Sequence, residues 1–265
     1  MNTAILIPAR FASSRYPGKP LVELRGAGGI AKPLIQRSFE AAQRCRGIGQ
    51  VHVVTDDDRI ARASEAFGAP VIMTSPDCRN GTERCAEALA SLEGVDLVVN
   101  LQGDALLTPA HFIDAIVARM RGDLQARVAT PAIRLRSSEV RTLQDEEAKG
   151  RVGGTSVVSD DKGRALYFSK RLIPFLPKGA LDELLSPVRL HIGVYAYRPE
   201  ALDLYVRTPP AELELLEGLE QLRFLAADVP VEVVEVNPPS FALRELNNPE
   251  DVEPIEQALA EAGLE

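Results

Sequence analysis

Residues 4–21 read Ala4-Ile-Leu-Ile-Pro-Ala-Arg10-Phe-Ala-Ser-Ser-Arg15-Tyr-Pro-Gly-Lys19-Pro-Leu21. The stretch opens on an apolar burst, Thr3 to Pro8, of the kind that fills a strand buried on both faces. It then breaks into a loop carrying Arg10, Arg15 and Lys19, with no acidic residue before Glu23, in a chain of net charge −8. Cations kept clear of carboxylates just past the end of a first strand suit a polyanion such as a triphosphate. A solvated surface turn is the plainer alternative.

Working outward, the same rhythm recurs. Gln50 to Thr55, Pro70 to Met73 and Leu97 to Gln102 predict strands. Ala31 to Cys45, Asp58 to Phe67, Thr82 to Leu92 and Pro109 to Arg121 predict helices. This alternation implies an α/β fold with a doubly wound, mostly parallel sheet. Such sheets bind ligands at the carboxyl ends of their strands, where Arg10, Asp56 and Asp104 stand. From about Arg127 the pattern shifts to short strands (Val128 to Ile133, Thr155 to Ser159, Ala165 to Ser169, His191 to Tyr197) between Gly- and Pro-bearing loops. That predicts a smaller, mixed or antiparallel insertion over 127–210 within a single domain, 1–265. Pro230 to Val236 reads as a strand returning to the sheet. Asn248 then caps a last helix, with Pro249 first and Glu250 and Asp251 in its first turn. The Asp145-Glu146-Glu147 run reads as a solvated face.

Composition narrows the function. With 265 residues, 45% apolar and 26% charged, the chain suits one large core with an appendage. No apolar run nears the roughly 20 residues that span a bilayer, and no secretory leader is visible. Cys45, Cys78 and Cys85 show no metal-ligand spacing and suit reduced thiols in a cytoplasm. The acidic balance disfavours nucleic acid as a partner, so an anionic small molecule needs a local cationic pocket.

Four further segments carry chemistry. Leu97 to Asp104 is a buried strand ending in Gly103-Asp104, where the carboxylate either holds Mg²⁺ against phosphate oxygens or caps the following helix. Asn80-Gly-Thr-Glu-Arg84 has capping-box spacing and opens a helix whose N–H groups could meet a base edge or a phosphate. Between His191 and Tyr197, alternation sets His191, Tyr195 and Tyr197 opposite Ile192 and Val194, a donor face or an unliganded edge strand. Glu214, Glu217, Glu220 and Gln221 share one helical stripe by spacing. Walker A, GxGxxG and Ser-His-Asp signatures are missing, which leaves positioning and charge neutralisation.

Taken together these blocks resemble the cytidylyltransferases that activate acidic sugars, above all the 3-deoxy-manno-octulosonate cytidylyltransferase family. The resemblance runs over nearly the whole chain: Pro8-Ala-Arg-x-x-Ser-x-Arg-x-Pro-Gly-Lys-Pro-Leu21, Val54-Thr-Asp-Asp57, Gly81-Thr-Glu-Arg84, Gln102-Gly-Asp104, Ala165-Leu-Tyr-Phe-Ser169, His191 to Tyr197 and Leu219-Glu-Gln-Leu-Arg223. It implies a Rossmann-like nucleotidyltransferase fold. It also implies CTP held by Pro8, Ala9, Arg10, Arg15, Lys19, Gly81, Thr82, Arg84 and Gln102, with Arg10, Lys19 and Asp104 catalytic. Mg²⁺ would sit on Asp104 and, at the second metal position, Asn247. Lys170, His191, Tyr195, Glu214 and Gln221 would line the acceptor pocket, and the insertion would form the contact of a homodimer.

Several positions depart from the family's pattern. Ala105 and Leu106 follow Asp104 where Glu-Pro is usual, and Asn247 replaces an aspartate expected to bind metal. Lys170 stands for an arginine, Cys78 for a histidine, and Thr155-Ser156-Val157 for Val-Lys-Val. An amide can lend Mg²⁺ a carbonyl oxygen but no charge. The acceptor expected by resemblance is a 3-deoxy-2-ulosonic acid. A small phosphonate activated as its CMP ester is the first alternative, and a CTP-binding relative without turnover the second.

Overall fold

The computed structural model describes residues 1–13 and 15–265. Its elements run β1 (Thr3–Ala9), β2 (Glu23–Arg25), β3 (Ala31–Pro33), α1 (Leu34–Gln43), β4 (Gln50–Thr55), α2 (Asp58–Ala66), β5 (Val71–Met73), α3 (Gly81–Leu89), β6 (Leu97–Leu101) and α4 (Ala110–Gly122). The second half adds β7 (Val128–Arg136), α5 (Ser137–Ala148), β8 (Ser156–Ser159), β9 (Ala165–Ser169), β10 (Leu185–His191), β11 (Val194–Tyr197), α6 (Pro199–Arg207), α7 (Glu212–Glu217), α8 (Leu222–Ala226), β12 (Val231–Glu235) and α9 (Val252–Ala262).

Among the described residues ten strands form one sheet in the order β5-β4-β1-β6-β11-β7-β10-β8-β9, with β12 beside β7. Strands β5, β4, β1 and β6 are parallel, as the strand–helix alternation requires. The register sets Ala9 opposite Thr55 and Leu6 opposite Asn100, so the carboxyl ends of β1, β4 and β6 lie side by side. The strands of the 127–210 segment do not make a separate sheet. They extend this one, with β11 antiparallel to β6 and β7.

Both faces of the sheet are covered. Along β1, Ala4 and Leu6 join one buried cluster while Ile5, Ile7 and Ala9 join the other. The first cluster takes in Cys85 of α3, Tyr205 of α6 and Phe224 of α8; the second takes in Phe39 of α1, Ile60 of α2 and Ile116 of α4. Ile5, Leu6 and Ile7 are fully buried, each worth about 1.5–3 kcal/mol relative to exposure. Burial on both sides explains why β1 reads as an unbroken apolar run rather than an alternating one.

Three sequence expectations need correction. The helix expected from Ala31 starts at Leu34, because Pro33 holds Lys32 extended and Ala31–Pro33 pairs with Glu23–Arg25. The strand expected over His191–Tyr197 is divided: His191 closes β10 and β11 begins at Val194. The single helical stripe of Glu214, Glu217, Glu220 and Gln221 is cut by Gly218, whose φ of 61° ends α7. The Asp145–Glu147 run lies on α5, where Glu146 pairs with Arg151 and Glu147 with Arg171. Asn248 is followed by one 3-10 turn before α9, and Asp251 accepts from the Asn247 and Asn248 amides.

Candidate active site

A cleft of about 770 Å³ opens at the carboxyl ends of β1 and β6. Its floor is made by Pro8, Ala9, Gln102 and Gly103. A Cβ on Gly103 would stand 2.8 Å from the Pro8 carbonyl, so only glycine lets the two strand ends approach this closely. Gly81 closes in behind, with its Cβ position 3.1 Å from Gln102 Nε2 and 3.2 Å from Pro8 Cγ. Asn80 caps α3 by accepting from the Glu83 amide at 2.8 Å, as its spacing predicts.

One end of the cleft is charged. Lys19 Nζ lies 2.5 Å from Asp104 Oδ2, and Arg15 Nη2 donates to Asn247 Oδ1 at 2.8 Å. Arg10 is exposed at the end of β1, with no ion-pair partner among the described residues. Arg244 and Glu245 complete this end. Glu245 still meets solvent, yet the enclosing walls and then the Asp104 charge push its carboxyl up to about 7, against Lys19, Asn247 and Arg15. Sequence reasoning passed over Glu245. No spacing marks it; its place depends on buried Leu246 packing with Leu106 and Leu107, just beyond Asp104.

The other end is neutral and rich in donors. His191, Tyr195 and Gln221 line it together with Gly193 and Gly218. The parity expected for this segment holds, since Tyr195 and Tyr197 face one cluster while Val194 and Ala196 face the other. Tyr197, however, continues inward, stacked on Tyr195, with its hydroxyl 3.3 Å from Thr82 Oγ1. The Thr130 hydroxyl donates to the Val194 carbonyl at 2.8 Å, so it receives Nε2–H from His191 at 3.0 Å. Burial pushes the His191 imidazole down to about 3, which keeps the ring neutral. Gln221 is 2% exposed and its Nε2 has no partner among the described residues.

Some expected site residues lie elsewhere. Glu214 is buried against Arg223, with bonds of 2.5 and 2.7 Å, rather than in the cleft. Arg84 is equally consumed, by Asp56 at 3.3 Å and Thr74 at 2.5 Å, behind the ends of β4 and β5. Thr82 stands one layer back and donates through its amide and hydroxyl to Glu220, which does line the cleft. Burial raises the Glu220 carboxyl, and these bonds pull it down. Lys170 is exposed and outside the lining, though its ammonium reaches Gly218 at the rim.

The donor set at the charged end fits Mg²⁺, which takes hard oxygens in small numbers and keeps phosphate and water as its other ligands. Asp104 and Glu245 offer carboxylates and Asn247 a carbonyl oxygen. A second groove, about 760 Å³ between α3 and α6, is lined by Asp77, Glu83, Glu87, Glu200 and Asp203 against Arg79. That balance repels a triphosphate.

Known proteins share this architecture. A family profile described as Cytidylyltransferase matches residues 4–231. The chain is 39% identical over 264 residues to the 3-deoxy-manno-octulosonate cytidylyltransferase of Maricaulis maris, covering 99% of each. It is 39% identical over 263 residues to the 8-amino-3,8-dideoxy-manno-octulosonate cytidylyltransferase of Shewanella sediminis, covering 98% of this chain and 99% of that protein. The structure of CMP:2-keto-3-deoxy-manno-octonic acid synthetase complexed with CTP superposes with a TM-score of 0.85 at 32% identity, over 99% of this chain and 100% of that one.

Proposed function

The chain belongs to the cytidylyltransferase family, as a CTP-dependent nucleotidyltransferase, and from that premise we propose that its acceptor is 3-deoxy-manno-octulosonate. The products are the CMP-activated sugar acid and pyrophosphate. One observation carries the reading. A single cleft joins a charged end, with Arg10, Arg15 and Lys19, to a neutral end with His191, Tyr195 and Gln221. The first suits a triphosphate, the second the hydroxyls and carboxylate of a sugar acid.

An acceptor oxygen attacks the α-phosphorus of CTP in line; the new P–O bond forms as the bond to pyrophosphate breaks. Arg10 and Lys19 neutralise the triphosphate, and Arg15, held by Asn247, flanks them. Asp104, with the Asn247 carbonyl, would hold Mg²⁺, which supplies charge neutralisation at the phosphate oxygens when bound. Pro8, Ala9 and Gln102 of the lining, with Gly81 packed behind Gln102 and Pro8, would receive the cytosine. His191, a neutral donor to Thr130 through Nε2, keeps its other ring nitrogen as an acceptor for an acceptor hydroxyl. Exposed Leu166, Phe175, Leu184 and Leu185 in the 127–210 segment suit cover by a second copy, which supports a homodimer as the working form.

The test is pyrophosphate release from CTP and Mg²⁺ with each acid supplied in turn: the octulosonate, its 8-amino analogue and small phosphonates. Saturable turnover with the octulosonate supports the proposal. Turnover with phosphonates alone overturns it, and CTP binding without turnover on any acid leaves a binding protein.

A further inference from the structure

We propose that Thr130 is a positioning residue: its hydroxyl fixes which nitrogen of His191 is bare in the cleft, and so makes that ring take a hydroxyl of the acceptor rather than its carboxylate. The inference rests on the acceptor reading above. It starts from a break in the sheet. On β7 only Thr130 and Pro131 separate Ala129 from Ala132, yet Ile192, Gly193, Val194 and Tyr195 separate their partners, Ala196 and His191. The facing strand therefore bulges over Thr130 and Pro131, and a bulge re-aims side chains. Its far side opens at the same place. Strand β6 pairs as far as Leu101, opposite Val194, and β8 begins at Ser156, opposite Leu190. The cleft reaches the sheet through that gap, lined by Thr155, His191, Ile192 and Gly193.

Pro131 has no N–H to give the bulged strand. The fully buried Thr130 side chain serves that strand instead: its hydroxyl donates to the Val194 carbonyl at 2.8 Å, with the Ile192 carbonyl at 3.2 Å. That commits its one proton. Only lone pairs remain for His191 Nε2, 3.0 Å away, so Nε2 carries hydrogen. Burial keeps the ring neutral, which leaves Nδ1 bare. Turning of the ring is restricted by Phe168, packed edge-on at 5.1 Å, and by Tyr195 at 5.4 Å. Among the described residues only Thr130 bonds this imidazole. A bare nitrogen accepts from a hydroxyl, whereas a carboxylate oxygen there would set lone pair against lone pair.

The test first reads the tautomer in the free protein, by nuclear magnetic resonance of the imidazole nitrogens, since a protonated ring nitrogen resonates far upfield of a bare one. The chain has three histidines, and the signals missing from His191→Gln are those of His191. Wild type and Thr130→Ser are expected to show Nε2–H with Nδ1 bare. In Thr130→Val the Nε2–H would be buried against a methyl group with no acceptor, so the proton is expected to move to Nδ1. The KM for the octulosonate should then rise on the order of tenfold, the loss of about one hydrogen bond. The KM for CTP should stay unchanged, and Thr130→Ser should keep the wild-type values. A protonated Nδ1 in the wild type, or a Thr130→Val protein that keeps the wild-type tautomer, overturns the inference. So does a moved proton with an unmoved acceptor KM. If the wild type turns over none of the sugar acids, the acceptor reading falls by itself, and the nitrogen resonances still decide whether Thr130 sets the ring.

Discussion

Lys19 Nζ and Asp104 Oδ2 stand 2.5 Å apart across 85 residues of chain, joining the loop after β1 to the end of β6. The pair is only partly covered, with side chains 17% and 19% exposed, so it contributes about 0–1 kcal/mol to stability. Its value lies in readiness. Each charge holds the other in place until a triphosphate and a cation arrive to separate them. Lys19→Ala is expected to lower kcat/KM by roughly 10²–10³-fold, as removal of a preorganised donor does, with little change in melting temperature. Steady-state pyrophosphate release beside a thermal melt checks both. A fall in stability matching the fall in rate would make Lys19 structural.

Glu214 and Arg223 make the opposite kind of pair. Arg223 is 2% exposed, bonds Glu214 twice and lies over the Tyr205 ring at 3.9 Å. Removing the carboxylate leaves the buried guanidinium with Glu83, at 3.7 Å, as its remaining acidic partner, a loss at the lower end of the about 3–5 kcal/mol that breaking a buried pair costs. Glu214→Ala is therefore expected to lower the melting temperature by roughly 10 °C. The KM for the acceptor should hold in the fraction that remains folded. A raised KM at unchanged stability would return Glu214 to the acceptor pocket.

These two pairs show where the sequence is legible and where it stops. The parallel half of the sheet announces itself, because strands buried on both faces must be unbroken apolar runs, and the loop after β1 is marked by cations without acids. What one-dimensional spacing does not carry is direction. Arg84 and Arg10 are equally basic on the page, yet Arg84 sits on the inner face of α3 and is consumed by Asp56 and Thr74. Spacings of three and four among the glutamates describe one helix only if no residue between them leaves helical space, and Gly218 does so. Glu245 reaches the cleft because its neighbour Leu246 is buried in the same cluster as Leu106 and Leu107, an association that sequence spacing does not carry.

Protonation of His191 should work against folding. Its ring is held down to about 3 by burial, against an ordinary value of 6.5. As pH falls below about 6.5 the unfolded chain takes up this proton and the folded chain does not, so this contribution to stability is complete above that pH and shrinks toward 3. The slope is at most about 1.4 kcal/mol per pH unit. His191→Gln lacks the effect. The stability gap between wild type and variant, from urea unfolding at a series of pH values, should narrow between about pH 7 and about pH 4. A gap that stays constant would mean the imidazole is protonated without cost in the fold.

Gln221 separates stability from function most sharply. Its side chain is buried in the donor-rich end of the cleft with Nε2 unpartnered among the described residues. A buried donor without an acceptor costs about 1–3 kcal/mol, and a ligand oxygen is the partner that would relieve it. Gln221→Met keeps the length and volume of the side chain while deleting both the donor and its penalty. The variant is expected to be as stable as the wild type, or more so, in thermal melts without ligand. Its KM for the sugar acid should rise on the order of tenfold, the loss of one or two hydrogen bonds, while the KM for CTP stays put. If the acceptor KM is unmoved, the amide faces no substrate. If the variant is markedly less stable, the donor already has a partner in the free protein, and the neutral end of the cleft must be assigned around His191 and Tyr195 alone.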